Sequence, residues 1–410
     1  MRRSLPRCGQ RSGRRRRSGW KARSSAGRPA WAWSDGRARR GKTMELLIQG
    51  LNRLLGQALP DWAVVLIGMA IVITLIFVLA PVIFMFLTWL LRRGIARFAD
   101  RIGPNRTGLG PFNKERTRQR WPLWGLLQPV ADGVKMFTKE DIIPDKGDKV
   151  LHRMAPIAAI VPAMLVFAVI PFGKELSAVD LNVGVVYVVA VSSLFTLVLL
   201  VAGWSSNNKY SLLGAMRTAA QMVSYEVPMV LSLVVPVLFA RSLSLNAIVA
   251  AQAGLRWYIF YFPLGTLAFL TYFTAALAEV NHTPFDLPEA DSEIVAGYIT
   301  EYSGMKFALF FMGEFINQFL VCALATVLFL GGWQGPGVGI GGVLGYLLSV
   351  FWFFLKAFAL YFLFVWIRAT WPRLRVDQLM GFAWKRLVPI TLGNVLVSGL
   401  AVVVWSLLRK

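Results

Sequence analysis

The chain carries eight continuous apolar runs, near residues 62–91, 151–172, 183–203, 220–240, 257–279, 305–331, 343–367 and 387–408. Each is long enough to cross a hydrocarbon layer about 30 Å thick as a helix. A segment inside lipid must satisfy its own backbone hydrogen bonds, which leaves only helices or a closed barrel. Barrel strands alternate apolar and polar residues, and these runs do not. The expected fold is therefore an all-α, polytopic membrane protein with eight transmembrane helices. Composition agrees, since 56% of the 410 residues are hydrophobic and 13% aromatic, far from the balance of a soluble domain.

Lys and Arg set the expected orientation, because basic loops stay on the cytoplasmic side. They crowd the connections at 92–150, 204–219 and 368–386, and the fourth connection on that side is 280–304. The opposite connections, such as 173–182 and 334–342, are short and nearly uncharged. Eight crossings then place both termini on the outer side of a bacterial inner (plasma) membrane. Residues 1–43 oppose this, with fifteen Lys and Arg against the single Asp35. They also lack the apolar stretch of a signal peptide. We read 1–43 as a disordered tail or an extension upstream of a start at Met44, and 44–410 as the membrane domain. Nucleic-acid binding by the basic tail is not expected, because Arg-rich low complexity alone is weak support for it. Without the tail the chain still carries a net charge of +9.

Two His (His152, His282) and two Cys (Cys8, Cys322) bound the redox chemistry. Paired axial His for haem within the spans and the set of about four Cys for an iron–sulfur cluster cannot be assembled. Neither a phosphate-binding loop nor a dinucleotide fingerprint is present. Electrons must come from a partner.

Acids stand out against the basic background. "EVNHTPFDLPEADSEIVAGYITEYSG", residues 279–304, holds six carboxylates and no Lys or Arg. Glu226 lies inside the fourth run, Glu314 inside the sixth, and Glu279 closes the fifth. A carboxylate in hydrocarbon is costly unless it faces water, pairs or stays protonated, and such residues mark proton or ion pathways. A neutral carboxyl tying two helices together is the plainer alternative. Pro288 suits a first helical turn, and Glu289, Glu293 and Glu301 recur at multiples of four, so one helical face could carry them. Neighbouring carboxylates at that spacing titrate together. A solvated loop is the competing reading.

Five stretches carry a family resemblance: "RIGPNRTG" at 101–108, "GLLQPVADGVKMFTKEDIIP" at 125–144, "AGWSSNNKYSLLGAMRTAAQMVSYEVP" at 202–228, the acidic stretch running on through "MKFALFFMGEF", and "RATWPRLRVDQLM" at 368–380. Together they resemble the family of membrane subunits that bacterial NADH:quinone oxidoreductase, respiratory complex I, shares with its mitochondrial counterpart, where the member is NADH dehydrogenase subunit 1. The resemblance implies a subunit of a translocase at the heel of an L-shaped complex, with no redox centre of its own. Quinone would be the substrate, while NADH, flavin and iron–sulfur clusters would sit on partner subunits. Partners would be the quinone-site subunits of the peripheral arm, small membrane subunits and lipid. By motif, the proton-coupling set would comprise Glu226, Glu279, Asp286, Glu289, Asp291, Glu293, Glu301 and Glu314. The quinone-binding set would comprise Arg92, Asp132, Gly133, Lys135, Arg368 and Arg373, with "LLQPVADGVK" forming an interfacial amphipathic helix at the entrance. Positive-inside topology is the plain alternative for the arginines.

The sequence departs from the family pattern in places. Leu91 stands where the family usually has Glu, His282 stands where many members have Arg, and residues 109–124 lengthen a loop. A related hydrogenase membrane subunit and a free-standing transporter are the other function classes. Large charged cytoplasmic loops argue against the transporter, and neighbouring genes would separate the first two.

Overall fold

The computed structural model describes residues 39–40, 61–105, 125–174, 176–254, 256–287, 294–339 and 343–408. Most of the basic N-terminal segment, the lengthened loop at 109–124, and Pro288, Glu289, Asp291 and Glu293 lie outside the described residues.

The helices follow in chain order: α1 Asp61–Phe98, α2 Gln128–Thr138, α3 Lys149–Phe167, α4 Gly184–Ser205, α5 Lys209–Ala240, α6 Leu245–Ala251, α7 Leu264–Glu279, α8 Gly304–Phe329, α9 Val343–Thr370, α10 Val376–Phe382 and α11 Val388–Leu408. A π-turn over Ala383–Leu387 joins α10 and α11 into one rod, Val376–Leu408. Seven of these helical segments are long and apolar enough to cross a membrane, and α7 is a shorter apolar helix. The protein is an all-α, multi-pass membrane protein. Among the described residues the strands are β1 Arg39–Arg40 and β2 Val179–Asp180, paired antiparallel with Arg39 opposite Asp180.

Two helices differ from the expected runs for local reasons. The run at 257–279 becomes a 3-10 turn at Tyr258–Phe260 followed by the 16-residue α7. Pro263, with no backbone N–H, marks where the α-helix begins. By contrast α5 reaches back to Lys209 through its polar first turns, where the Asn208 side chain caps it by accepting from the Tyr210 N–H at 3.0 Å.

Helix α8 forms the centre, packing on α3, α9 and α1, while α5 packs on α7, α4 and α11. Every residue of α8 from Gly313 to Phe329 is buried, polar Glu314, Asn317, Gln318 and Thr326 included. The outer helices keep apolar residues exposed instead, among them Leu396, Leu400 and Trp405 of α11, which suits contact with lipid. Gly214 of α5 lies so close to Gly297 that a Cβ there would stand 2.6 Å from the Gly297 Cα. That approach seats the turn at Gly297–Ile299 directly on α5.

Candidate functional site

The acidic stretch begins where α7 ends, and the ending fixes its geometry. Asn281 adopts the left-handed conformation (φ 54°), its N–H bonds to Ala278 O, and the His282 N–H bonds to Leu277 O, each at 3.3 Å. This is the Schellman closure of a helix C-terminus, with Asn in the place more often taken by Gly. It turns His282 inward, where the residue is fully buried. Gln221 of α5 clamps the turn from the other side, donating to Ala278 O at 2.6 Å and to Phe285 O at 2.7 Å. The 371–375 segment adds the Leu374 N–H to Pro284 O at 3.0 Å. Nearby, the Tyr225 hydroxyl donates to Leu379 O at 2.8 Å.

Three expected carboxyls lie within or at the end of helices that cross this region. Glu226, half-buried on α5, accepts a hydrogen bond from the Ser193 hydroxyl of α4. Glu279, 4% exposed at the end of α7, lies within electrostatic reach of Glu226. Ionising one of two such neighbours changes the cost of ionising the other. Glu279 Oε2 is buried without a hydrogen-bond partner among the described residues. It faces a cavity of about 20 Å³ bordered by Ser192, Tyr272 and Asn317, enough for one water molecule. Glu314 of α8 accepts from Gln318 Nε2 at 3.3 Å.

The cations divide between two places. Arg368, in the last turn of α9, lies 3.1 Å from His282 Nδ1, and Arg373 pairs with Asp286 at 3.2 Å. Burial and the Arg368 charge push the His282 pKa down to about 3. Arg92, at the other place, meets Asp132 of α2 at 2.5 Å, and Gln128 donates to the same carboxylate at 3.0 Å. Beside this pair opens a cleft of about 910 Å³ bordered by Leu91, Arg92, Ile95, Ile102, Pro104 and Gln128. Helix α2 shows Val130, Val134 and Phe137 outward, the pattern of a helix lying in a membrane interface.

Not all expected site residues converge. Glu301 accepts from Asn208 at 2.6 Å, at the junction of α4 and α5. The single helical face expected to reach it is interrupted: Val295 (φ 62°) and Gly297 (φ 56°) are left-handed, and a 3-10 turn follows. Lys135 is exposed, and a Cβ on Gly133 would meet nothing within 4 Å. Packing on this chain therefore does not require glycine at 133. Sequence reasoning missed Ser193, Gln221 and Gln318. The two Gln side chains are fully buried. Polar residues within apolar runs were the available signal for them.

The sequence profile of the NADH dehydrogenase family matches residues 70–399. The H subunit of NADH-quinone oxidoreductase from Dehalococcoides mccartyi strain CBDB1 is 49% identical over 343 residues, spanning 84% of this chain and 86% of the relative. One of the corresponding subunits of Geobacter metallireducens is 45% identical over 356 residues, spanning 82% and 96%. The same subunit of Bacillus thuringiensis strain Al Hakam is 49% identical over 309 residues, spanning 75% and 86%.

Proposed function

The chain belongs to the NADH dehydrogenase family, and on that premise we propose that this membrane subunit of NADH-quinone oxidoreductase, respiratory complex I, forms part of both the quinone-binding cavity and an acidic proton-coupling channel. The observation that carries the reading is the Glu226–Glu279 neighbourhood. Two carboxyls on adjacent helices lie within electrostatic reach of each other, and one of them, Glu279, borders a cavity the size of one water with one carboxylate oxygen unclaimed among the described residues. The Ser193 hydroxyl can act as donor or acceptor, and the space beside Glu279 is large enough for a water that could do the same, so each carboxyl can be met in either protonation state.

Quinone reduction consumes protons as well as electrons. In this reading the electrons come from flavin and iron–sulfur clusters on the peripheral-arm subunits, and small membrane subunits adjoin the heel. The cleft beside Arg92 and Asp132 admits the quinone from the lipid, with α2 as its sill. In this reading the quinone headgroup reaches Arg368 and Arg373, where a fixed positive charge favours developing negative charge on the substrate oxygens. Asp286 anchors Arg373 and sets the local field, and the carboxyls that follow, Glu279, Glu226 and Glu314, respond to that charge by taking up or releasing protons. Glu289, Asp291, Glu293 and Glu301 complete the acidic set.

The test is Glu226→Gln in the assembled complex, a change that keeps shape and hydrogen bonding while removing the titratable proton. Quinone turnover and proton translocation should fall together by about tenfold or more, while reduction of a soluble acceptor at the peripheral arm stays normal. Near-normal turnover and pumping would make Glu226 a structural hydrogen-bonding group and end the channel reading of α5.

A further inference from the structure

Arg368, His282, Gln318 and Glu314 form a line whose hydrogen-bond direction is determined by their chemistry. Arg368 Nη1 lies 3.1 Å from His282 Nδ1. A guanidinium has donors only, so Nδ1 accepts and the neutral imidazole carries its proton on Nε2. That nitrogen and Gln318 Oε1 are both buried, and each is without a hydrogen-bond partner among the described residues. The Gln318 side chain lies beside this ring, so the unpartnered donor and the unpartnered acceptor are neighbours. The far side of the same amide is committed, because Gln318 Nε2 donates to Glu314 Oε1 one turn back along α8 at 3.3 Å. The amide oxygen is therefore the end turned to the imidazole. Every donor points the same way, from Arg368 through His282 and Gln318 to Glu314.

His282 and Gln318 are fully buried and Glu314 is 7% exposed, so water does not compete for these contacts. The ring is kept neutral by burial and by Arg368, which preserves Nδ1 as an acceptor. Phe364 of α9 borders the ring at 6.3 Å between centroids. The line also crosses between elements: Arg368 is on α9, His282 on the loop after α7, and Gln318 and Glu314 on α8.

Resting on the proposed function, we propose that His282 and Gln318 are positioning residues that tie Arg368, at the quinone end, to the carboxyl of Glu314 within α8. While Arg368 is docked on the imidazole, ring and amide hold one orientation and Glu314 receives a donor. When Arg368 is drawn to a substrate oxygen, His282 loses the contact that orders it, the Gln318 amide is released, and Glu314 loses the Gln318 donor. Neither residue touches the substrate.

The experiment uses the assembled complex and a mutant cycle. Arg368→Lys, Glu314→Gln and the double variant are compared in the native background and again with Gln318→Met, which keeps side-chain volume but removes both amide contacts. Quinone turnover and protons moved per quinone are measured, with soluble-acceptor reduction at the peripheral arm as the control. In the native background the double variant should lose at least about fivefold less turnover than the product of the single losses; in the Gln318→Met background the losses should multiply to within about twofold. His282→Asn, whose oxygen can still accept from Arg368 but whose side chain is too short to reach Gln318, should abolish the coupling in the same way and serves if Gln318→Met does not assemble. Multiplicative losses in the native background, or coupling that survives both changes, would overturn the line while leaving the proposed function intact. Normal turnover in both single variants would overturn the line together with the site reading on which it rests.

Discussion

Arg373→Ala separates the charge of Asp286 from its geometry. The Arg373–Asp286 contact is 3.2 Å, with the carboxylate 8% exposed and the guanidinium 36% exposed. Asp286 Oδ1 has no partner among the described residues, so among them Arg373 is what compensates this buried charge. Removing one partner of a fully buried ion pair costs about 3–5 kcal/mol. Partial exposure of the arginine lowers this to roughly 2 kcal/mol, because water screens its side of the pair. The backbone bond from Leu374 to Pro284 survives the change, so the loop keeps one tether. If Asp286→Asn is added, the stranded charge becomes a neutral amide, and the remaining penalty is that of an imperfect polar contact, about 1 kcal/mol. The double variant should therefore be more stable than Arg373→Ala alone by about 1 kcal/mol. The assay is the temperature at which this subunit dissociates from the purified complex, since quinone turnover would confuse stability with any role of Asp286 in proton transfer. A double variant as unstable as Arg373→Ala, or less stable, would refute the idea that the cation compensates a buried charge.

Acid should weaken the fold through His282, whose pKa lies near 3 in the folded chain against about 6.5 unfolded. The unfolded state binds the proton first, so this contribution is complete above about pH 6.5 and is lost at up to about 1.4 kcal/mol per pH unit as pH falls toward 3. Heat inactivation measured at pH 5 and pH 7.5 should show a smaller acid penalty in His282→Gln than in the native complex. Lys356→Met should cost about 3 kcal/mol, since the ammonium holds the carbonyls of Leu330, Gly332 and Gln334 at 2.7, 3.1 and 2.5 Å and lies 4.2 Å from the Trp257 ring centroid. A thermal midpoint within a degree of native would show those carbonyls finding other partners. Gly133→Ala should leave quinone turnover within about twofold of native, because the added methyl has open space and helix propensity rises; a large loss would place a partner subunit or the quinone against that position.

How much was legible depended on whether a signal ran along the chain or across it. Hydrophobic length runs along the chain, so the run at 305–331 located α8 at Gly304–Phe329 to within a few residues. The same signal failed at the start of α5, where Lys209 and Arg217 lower the local hydropathy although the helix continues through them. It also overran α7, because Tyr258 and Phe260 are apolar but stand before Pro263 in a tighter turn. The acids were legible as a set and less so as an arrangement. A four-residue spacing suggested a helical face through Glu301, and the left-handed backbone at Val295 gave no warning, since a β-branched residue disfavours that conformation. Contacts across the chain were hidden altogether. Nothing in a single sequence pairs Ser193 with Glu226 or Gln318 with His282, because amides and hydroxyls accept many partners and leave no complementary charge to look for.

That difference in partners also ranks the carboxyls under the proposed function. Glu226 is met by a hydroxyl, Glu279 faces a space for water, and Glu314 is met by an amide. Each such partner can exchange a donor for an acceptor by rotating, so a proton can arrive or leave without stranding a buried group. Asp286 is different, because the guanidinium beside it has only donors and keeps its charge at any working pH. Protonating Asp286 would leave that cation without its counter-ion, whereas protonating Glu279 strands no counter-ion among the described residues. Of the described carboxyls at the quinone end, Asp286 is therefore suited to anchoring the arginine and setting the local field, and Glu226, Glu279 and Glu314 are suited to carrying the proton. The acidic stretch thus joins two kinds of carboxyl, and the change between them falls at the Schellman turn that ends α7, where a fixed ion pair on the loop gives way to adaptable contacts inside the bundle.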